Sequence, residues 1–229
     1  MFDRQYPLYH PELEHESCGV GAIVDLNGRA THRTVDQALT IVERLAHRAG
    51  SDALGTTGDG VGIMTRLPHE FFTAWAREEG ISLGKPGDYG VGMFFLPREV
   101  TARTFAKRMF VVIAEKHGLR FLGWRQVPVD SGILGDAARV CMPAIEQCFL
   151  GNPEQVAEGL PFEQLLYIAR REFEQSSDDT YICSLSSRTI VYKGMFLVGD
   201  LRRFFLDLQD SDYESAIALV HSRFSTNTF

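Results

Sequence analysis

The sequence predicts an α+β fold with antiparallel strand pairing, and three observations lead there. Strand-like runs outnumber helical ones by about nine to four. They follow one another in mixed order, without the strict strand–helix–strand rhythm of a parallel doubly wound sheet. The chain has 229 residues, 45% of them hydrophobic, enough for one large core, and neither an internal repeat nor a low-complexity stretch divides it.

The elements follow in order. Ala22 to Leu26 is an apolar strand stopping at Asn27-Gly28, a hairpin-type turn. Val35, Ala38, Leu39, Ile41, Val42 and Leu45 recur at helical spacing behind Thr34, the expected N-cap, and this helix ends near His47-Arg48. Residues 49–60, rich in Gly, Ser, Thr and Asp, form a loop that feeds the strand Val61 to Leu67. Pro68 opens a second helix carrying Phe71, Phe72 and Trp75, an aromatic run whose spacing suits core packing. Tyr89 to Leu96 is a strand, followed by a helix from Val100 to His117 with Phe105, Met109, Val112 and Ile113 expected on its packed side. Phe121 to Val129 and Arg139 to Leu150 read as strands, the second broken at Pro143. Phe162 to Phe173 is helical through Leu165, Leu166, Ile168 and Ala169. Tyr181 to Leu185 and Thr189 to Tyr192 read as a hairpin across Ser186-Ser187-Arg188, and Arg203 to Leu208 and Ala216 to Ser222 as two last strands.

Composition narrows the function classes. The formal charge is −7 and the pI about 5.5, and basic clusters go no further than Arg170-Arg171 and Arg202-Arg203, so no nucleic-acid partner is expected. The apolar stretch from Val91 to Leu96 is far short of the roughly 20 residues that span a bilayer, so no membrane partner is expected either. Residues 1–17 contain Asp3, Glu12, Glu14 and Glu16 and lack the basic and apolar regions of a secretory signal. They read as a propeptide or disordered leader. Four cysteines, at 18, 141, 148 and 183, are too few and too irregularly spaced for a disulfide framework, which points to a reducing, cytoplasmic setting.

Cys18 is the candidate nucleophile. Cleavage between Ser17 and Cys18 would place a thiol and an α-amine on one residue, a complete nucleophile-and-base pair. An α-amine titrates near about 7.7–8.0, so at neutral pH a useful fraction can relay the thiol proton through a water. Gly19 and Gly21 let substrate and neighbouring chain approach the sulfur. Other patterns are set aside. Gly58-Asp59-Gly60-Val61-Gly62 runs into a strand and not a helix, so it is no phosphate loop; its glycines turn the loop, and Asp59 is expected to bond backbone amides. His10, His15 and Cys18 lack a fourth ligand for zinc, so no metal is expected. Cys141, Cys148 and Cys183 are expected in the core, and His47 and His221 in structural hydrogen bonds.

Several strings then recur in a familiar order. His15-Glu16-Ser17-Cys18-Gly19-Val20-Gly21 is followed by His47-Arg48 and by Thr57-Gly58-Asp59-Gly60-Val61-Gly62-Ile63. Tyr89 to Pro97, Gly123 to Val129, Phe162 to Arg171, Tyr181 to Ser186 and Tyr192 to Met195 come next, and His221-Ser222-Arg223-Phe224-Ser225-Thr226-Asn227-Thr228 closes the series. Together they resemble the amino-terminal glutaminase domain of glutamate synthase, a class II glutamine amidotransferase of the N-terminal nucleophile hydrolase type.

The resemblance implies a four-layer αββα sandwich over residues 18–229, with residues 1–17 as leader. It makes Cys18 the nucleophile on the side-chain amide of L-glutamine and Arg223 the partner of the substrate α-carboxylate. Thr226 adds a hydroxyl contact, and Arg48 lies near the nucleophile. The implied activity is the glutaminase half-reaction, glutamine to glutamate and ammonia, with ammonia passed to a synthase domain or subunit that aminates 2-oxoglutarate. FMN and an iron–sulfur cluster are implied only for the rest of such a synthase, and no cofactor for this chain. Two departures stand out. Ala49-Gly50 occupies a place where the family usually has glycine before alanine, and the family's Asn-Gly pair, which supplies oxyanion-hole donors, is expected beyond Phe229, leaving the domain incomplete at its C-terminus. The rival reading is therefore a truncated, non-catalytic glutamine-binding or regulatory module. The string at 221–228 argues against an asparagine-forming or purine-pathway relative.

Overall fold

Strand pairing is antiparallel throughout the computed structural model of the chain, which describes residues 19–51, 55, 57–153 and 160–223. Among these residues are eight strands: β1 (Val20–Val24), β2 (Val61–Arg66), β3 (Tyr89–Leu96), β4 (Arg120–Gln126), β5 (Ala144–Gly151), β6 (Tyr181–Ser186), β7 (Thr189–Gly194) and β8 (Ile217–His221). They form two four-stranded sheets, ordered β1-β8-β2-β7 and β4-β5-β3-β6. Six α-helices accompany them: α1 (His32–Arg44), α2 (His69–Glu78), α3 (Val100–Lys116), α4 (Asp136–Cys141), α5 (Leu160–Ser176) and α6 (Leu201–Phe204).

Alternation along the strands builds two cores. On β3 and β5, Val91, Met93, Ile145 and Phe149 join Ile63, Ile190, Tyr192 and Val220 of the other sheet in one buried cluster. The same cluster takes in Val35, Ala38, Leu39 and Val42, the buried stripe of α1, which lies against β1, β2 and β8. The opposite side chains of β3 and β5, Phe94, Leu96, Cys148 and Leu150, form a second core with Phe110 and Ala114 of α3 and Phe162, Leu166 and Phe173 of α5. Opposite-face burial is what period-two alternation dictates for a sheet covered on both sides.

The expected α+β mixture and antiparallel pairing are found, with instructive differences. The N-cap of α1 is Thr31, not Thr34; its extended backbone lets its Oγ1 accept the Thr34 amide. Asn27-Gly28 turns the chain, with Gly28 at φ 72°, but leads into a helix and not a hairpin partner. Residues 139–141, expected as strand, are the end of α4, and β5 begins only after Pro143, which has no amide to give to a ladder. Residues 203–208, also expected as strand, are α6 and a 3₁₀ turn at Leu206–Gln209. Leu201, Phe204, Phe205 and Leu208 are all buried, at the i, i+3, i+4, i+7 spacing of a helix.

The packed side of α3 is Ala106, Phe110, Ile113 and Ala114, whereas Phe105 and Val112 are exposed. On α5, Leu166 and Ala169 are buried and Ile168 is exposed. Finally, β6 and β7 are consecutive but belong to different sheets. Glu163 of α5 grips their connection, accepting the Ser187 amide and hydroxyl and the Ser186 hydroxyl. The chain thus crosses from one sheet to the other.

Candidate active site

Three strands meet at one end of the first sheet, where β1 begins, β8 ends and β2 begins: Val20 opposes His221, which opposes Gly62. The pairing runs one step further, with the Ser222 amide donating to the Gly19 carbonyl at 2.8 Å. Gly19 is buried, and a Cβ there would fall 2.2 Å from Ser222 Oγ and 3.1 Å from Leu45 Cβ. A Cβ there would have to displace the Ser222 hydroxyl and press on Leu45, which glycine avoids. Ser222 Oγ is itself buried, without a hydrogen-bond partner among the described residues.

Arg223 follows directly. Its side chain is 23% exposed, and its Nε lies 3.2 Å from Asp59 Oδ2. Asp59 sits on the loop before β2, where its amide donates to the Gly50 carbonyl at 3.1 Å and Ser51 bridges to Gly58. Two glycines make this geometry possible. A Cβ at Gly50 would lie 2.0 Å from Asp59 Oδ2, and one at Gly58 only 2.3 Å from the backbone carbonyl oxygen of Phe196. Arg48 is exposed at the end of a 3₁₀ turn, Ala46–Arg48, whose preceding residue Leu45 packs on Gly19.

Of the residues picked from sequence, the structure thus gathers Arg223 and the 58–60 loop at the end of β1, and the turn bearing Arg48 stands beside Gly19. Cys18 and Thr226 lie outside the described residues, as do His10 and His15. Asp59 has a different partner from the one expected: its carboxylate meets a guanidinium across the sheet end. The rejection of a phosphate loop agrees with the structure, since Gly60 leads into β2 and not into a helix. A cavity of about 440 Å³ lies alongside, lined by Thr57, Met142, Gly194, Met195 and Phe196 among others.

The sequence pattern of the glutamine amidotransferases class-II matches residues 18–229. The chain belongs to this family. It is 40% identical over 226 residues to the glutamate synthase [NADPH] large chain of Bacillus subtilis, a match covering 97% of this chain and 15% of that protein. It is 42% identical over 223 residues to the chloroplastic ferredoxin-dependent glutamate synthase 2 of Arabidopsis thaliana, covering 94% and 14%. The ferredoxin-dependent glutamate synthase 2 of Synechocystis is also 42% identical, over 216 residues, with the same coverage. The amidotransferase chain therefore spans about one seventh of the length of these curated relatives.

Among the described residues of this amidotransferase the cysteines do not converge. An iron–sulfur cluster is held by convergent thiolates. Yet Cys148 is sealed in the core under α3 and α5, Cys183 is half-buried with its Sγ 3.5 Å from the Val191 carbonyl, and Cys141, expected in the core, is exposed. No group of three or more His, Cys, Asp or Glu side chains converges as a metal site among the described residues. Nor is any helix there long and apolar enough to cross a membrane.

One arrangement escaped the sequence reading. Arg125 donates to both oxygens of Asp207 at 2.8 Å and to Gln147, while Tyr192 donates to Asp207 and accepts from Gln147. These residues come from β4, β5, β7 and the 3₁₀ turn at 206–209. Each is unremarkable in its own stretch of sequence, and no local pattern links the four.

Proposed function

We propose that the chain performs the glutaminase half-reaction of a glutamate synthase. Cys18 Sγ attacks the side-chain carboxamide carbon of L-glutamine, its proton passing through water to the α-amine exposed by loss of residues 1–17. Collapse of the tetrahedral adduct expels ammonia and leaves a thioester, which water hydrolyses to glutamate. Arg223 pairs with the substrate α-carboxylate, Thr226 adds a hydroxyl contact, and Arg48 flanks the nucleophile. Ammonia passes to a synthase domain that aminates 2-oxoglutarate, and FMN and the iron–sulfur cluster belong to other parts of that enzyme. Residues 18–229 belong to the catalytic domain, part of a four-layer αββα plan, and the protein works in the cytoplasm.

The observation that carries this reading is the position of Arg223. It stands one residue beyond the Ser222–Gly19 hydrogen bond, and Gly19 is the residue that follows Cys18 in the chain. Family membership and similarity to glutamate synthases support the reaction class. The sandwich plan is supported by two antiparallel sheets sharing a core, with α3 and α5 on the far side of the second.

The test combines intact mass with ammonia release from L-glutamine. Loss of residues 1–17 together with release abolished by Cys18→Ala is the expected result. Release that survives Cys18→Ala overturns the nucleophile. A chain that binds L-glutamate through Arg223 yet releases no ammonia fits the rival reading, a glutamine-binding module without turnover.

A further inference from the structure

We infer that Asp59 is a positioning residue that aims the Arg223 guanidinium at the α-carboxylate of glutamine; this deepens the glutaminase reading and rests on it. The closest approach of the pair is Nε, the inner nitrogen, to Asp59 Oδ2, at 3.2 Å. An arginine can meet a carboxylate with either of two forks, Nε with Nη or Nη1 with Nη2. Asp59 stands nearest the Nε edge of the guanidinium, where its negative charge disfavours a second carboxylate. The end-on fork, Nη1 with Nη2, is left to meet an incoming carboxylate, in a direction fixed by Asp59.

The aspartate is itself held. Its amide is bonded to the Gly50 carbonyl, its carboxylate occupies the space where a Cβ of residue 50 would lie, and neighbouring Gly58 is pressed against the Phe196 carbonyl. A loop cinched at three points is a costly way to make a partly exposed ion pair. With side-chain exposures of 23% and 37%, such a pair stabilises a fold by about 1 kcal/mol at most. Geometry is where it can matter, because an error of about 1 Å in a substrate-positioning group can cost about 10²-fold.

The sign of the effect separates positioning from simple electrostatics. Asp59 is a negative charge beside a carboxylate site, so Coulomb's law alone says that removing it tightens binding of the net-anionic L-glutamate. Positioning says the opposite.

The experiment uses the full natural chain and compares L-glutamine with 4-aminobutanamide, the same amide without the α-carboxylate, by ammonia release. Binding of L-glutamate against 4-aminobutanoate is read in parallel by calorimetry. Asp59→Asn is expected to raise KM for L-glutamine, and Kd for L-glutamate, by about tenfold, with kcat little changed and the decarboxylated ligands unaffected. In an Arg223→Ala background, Asp59→Asn is expected to add nothing. Asp59→Ser serves as the second charge-removing variant if the asparagine protein does not fold, judged by far-UV circular dichroism. Unchanged or tighter L-glutamate binding in Asp59→Asn overturns the inference while leaving the glutaminase reading intact. If Arg223→Ala weakens the decarboxylated ligands as much as L-glutamine and L-glutamate, the carboxylate-binding role of Arg223 falls instead.

Discussion

Arg125 and Asp207 form a two-pronged ion pair, Nη1 to Oδ2 and Nη2 to Oδ1, each 2.8 Å long, with side chains only 10% and 1% exposed. Arg125 belongs to the second sheet, and Tyr192, which shares the Asp207 carboxylate, to the first. Gln147 closes the ring by accepting from Arg125 and donating to Tyr192. Burial alone would lower the Arg125 pKa, but the hydrogen bond and charge of Asp207 outweigh it and hold the guanidinium above its ordinary value. The two sheets are therefore joined by a charged, fully bonded link inside an apolar core. Such a link fixes register and spacing more than it adds stability.

Breaking that link from one side leaves an unpaired buried charge. Arg125→Ala and Asp207→Ala are each expected to lower unfolding free energy by about 3–5 kcal/mol, measured by urea denaturation. The double alanine variant is expected to cost less than the sum of the two. Additive losses would mean that the residues do not act as a pair.

Much of the fold could be read along the chain because its elements are local. The α1 stripe, β2, β3 and the α5 stretch follow from spacing alone. Two kinds of feature could not be read this way. The segment 201–209 carries enough aromatic and aliphatic residues to suit either a strand or a helix, and burial of Leu201, Phe204, Phe205 and Leu208 in the core shared with Tyr192 and Phe196 decides for helix. Contacts distant in sequence form the second kind. Arg223 could be singled out from its motif, but its partner Asp59 lies 164 residues earlier, and no local pattern links them. In sequence Gly58 is a turn-maker and Gly50 a departure from the family's glycine–alanine order; only the folded loop reveals that they make room for a backbone carbonyl and a carboxylate.

Stability should fall on acidification partly through α3. Glu99 caps its N-terminus, and the amides of Thr101 and then Ala102 hold its pKa below the ordinary 4.5. Glu172 is lowered by hydrogen bonds from Lys116 and His117 at the other end of the helix. Depressed carboxylates contribute stability that is fully present above their ordinary value and is lost as pH falls through the native one. The double variant Glu99→Gln/Glu172→Gln is therefore expected to lose less stability than the parent between about pH 5 and about pH 3. Denaturant midpoints across that range are the measurement, and parallel curves would count against these two groups.

The three described cysteines are expected to differ sharply toward thiol reagents. Cys141 is exposed, whereas burial pushes the Cys183 thiol up to about 11 and the Cys148 thiol well above its ordinary value. At pH 8 a thiol of that pKa is ionised to about one part in a thousand. In a Cys18→Ser background, one thiol, mapped to Cys141, should react quickly with a disulfide reagent. The other two should follow only in denaturant, and rapid native labelling of Cys148 would contradict its place in the core.

The orientation of α3 offers the sharpest contrast. Phe105 and Phe110 are both phenylalanines on one helix, and hydrophobic spacing alone suggests a stripe through Phe105, Met109, Val112 and Ile113. The observed stripe, Ala106, Phe110, Ile113 and Ala114, is that pattern advanced by one residue, a rotation of about 100°. Small alanines at 106 and 114 let the helix approach the sheet, and Phe110 fills the space between them. It is fully buried, with its ring 4.6 Å from Phe94, 5.3 Å from Phe173 and 6.2 Å from Trp124, all edge-on. Phe105 is 68% exposed. Phe110→Ala is thus expected to cost about 3–5 kcal/mol, and Phe105→Ala no more than about 0.5 kcal/mol, in paired urea titrations. Equal losses would place Phe105 in the core and reverse the helix face, taking with it the packing of α3 against α5.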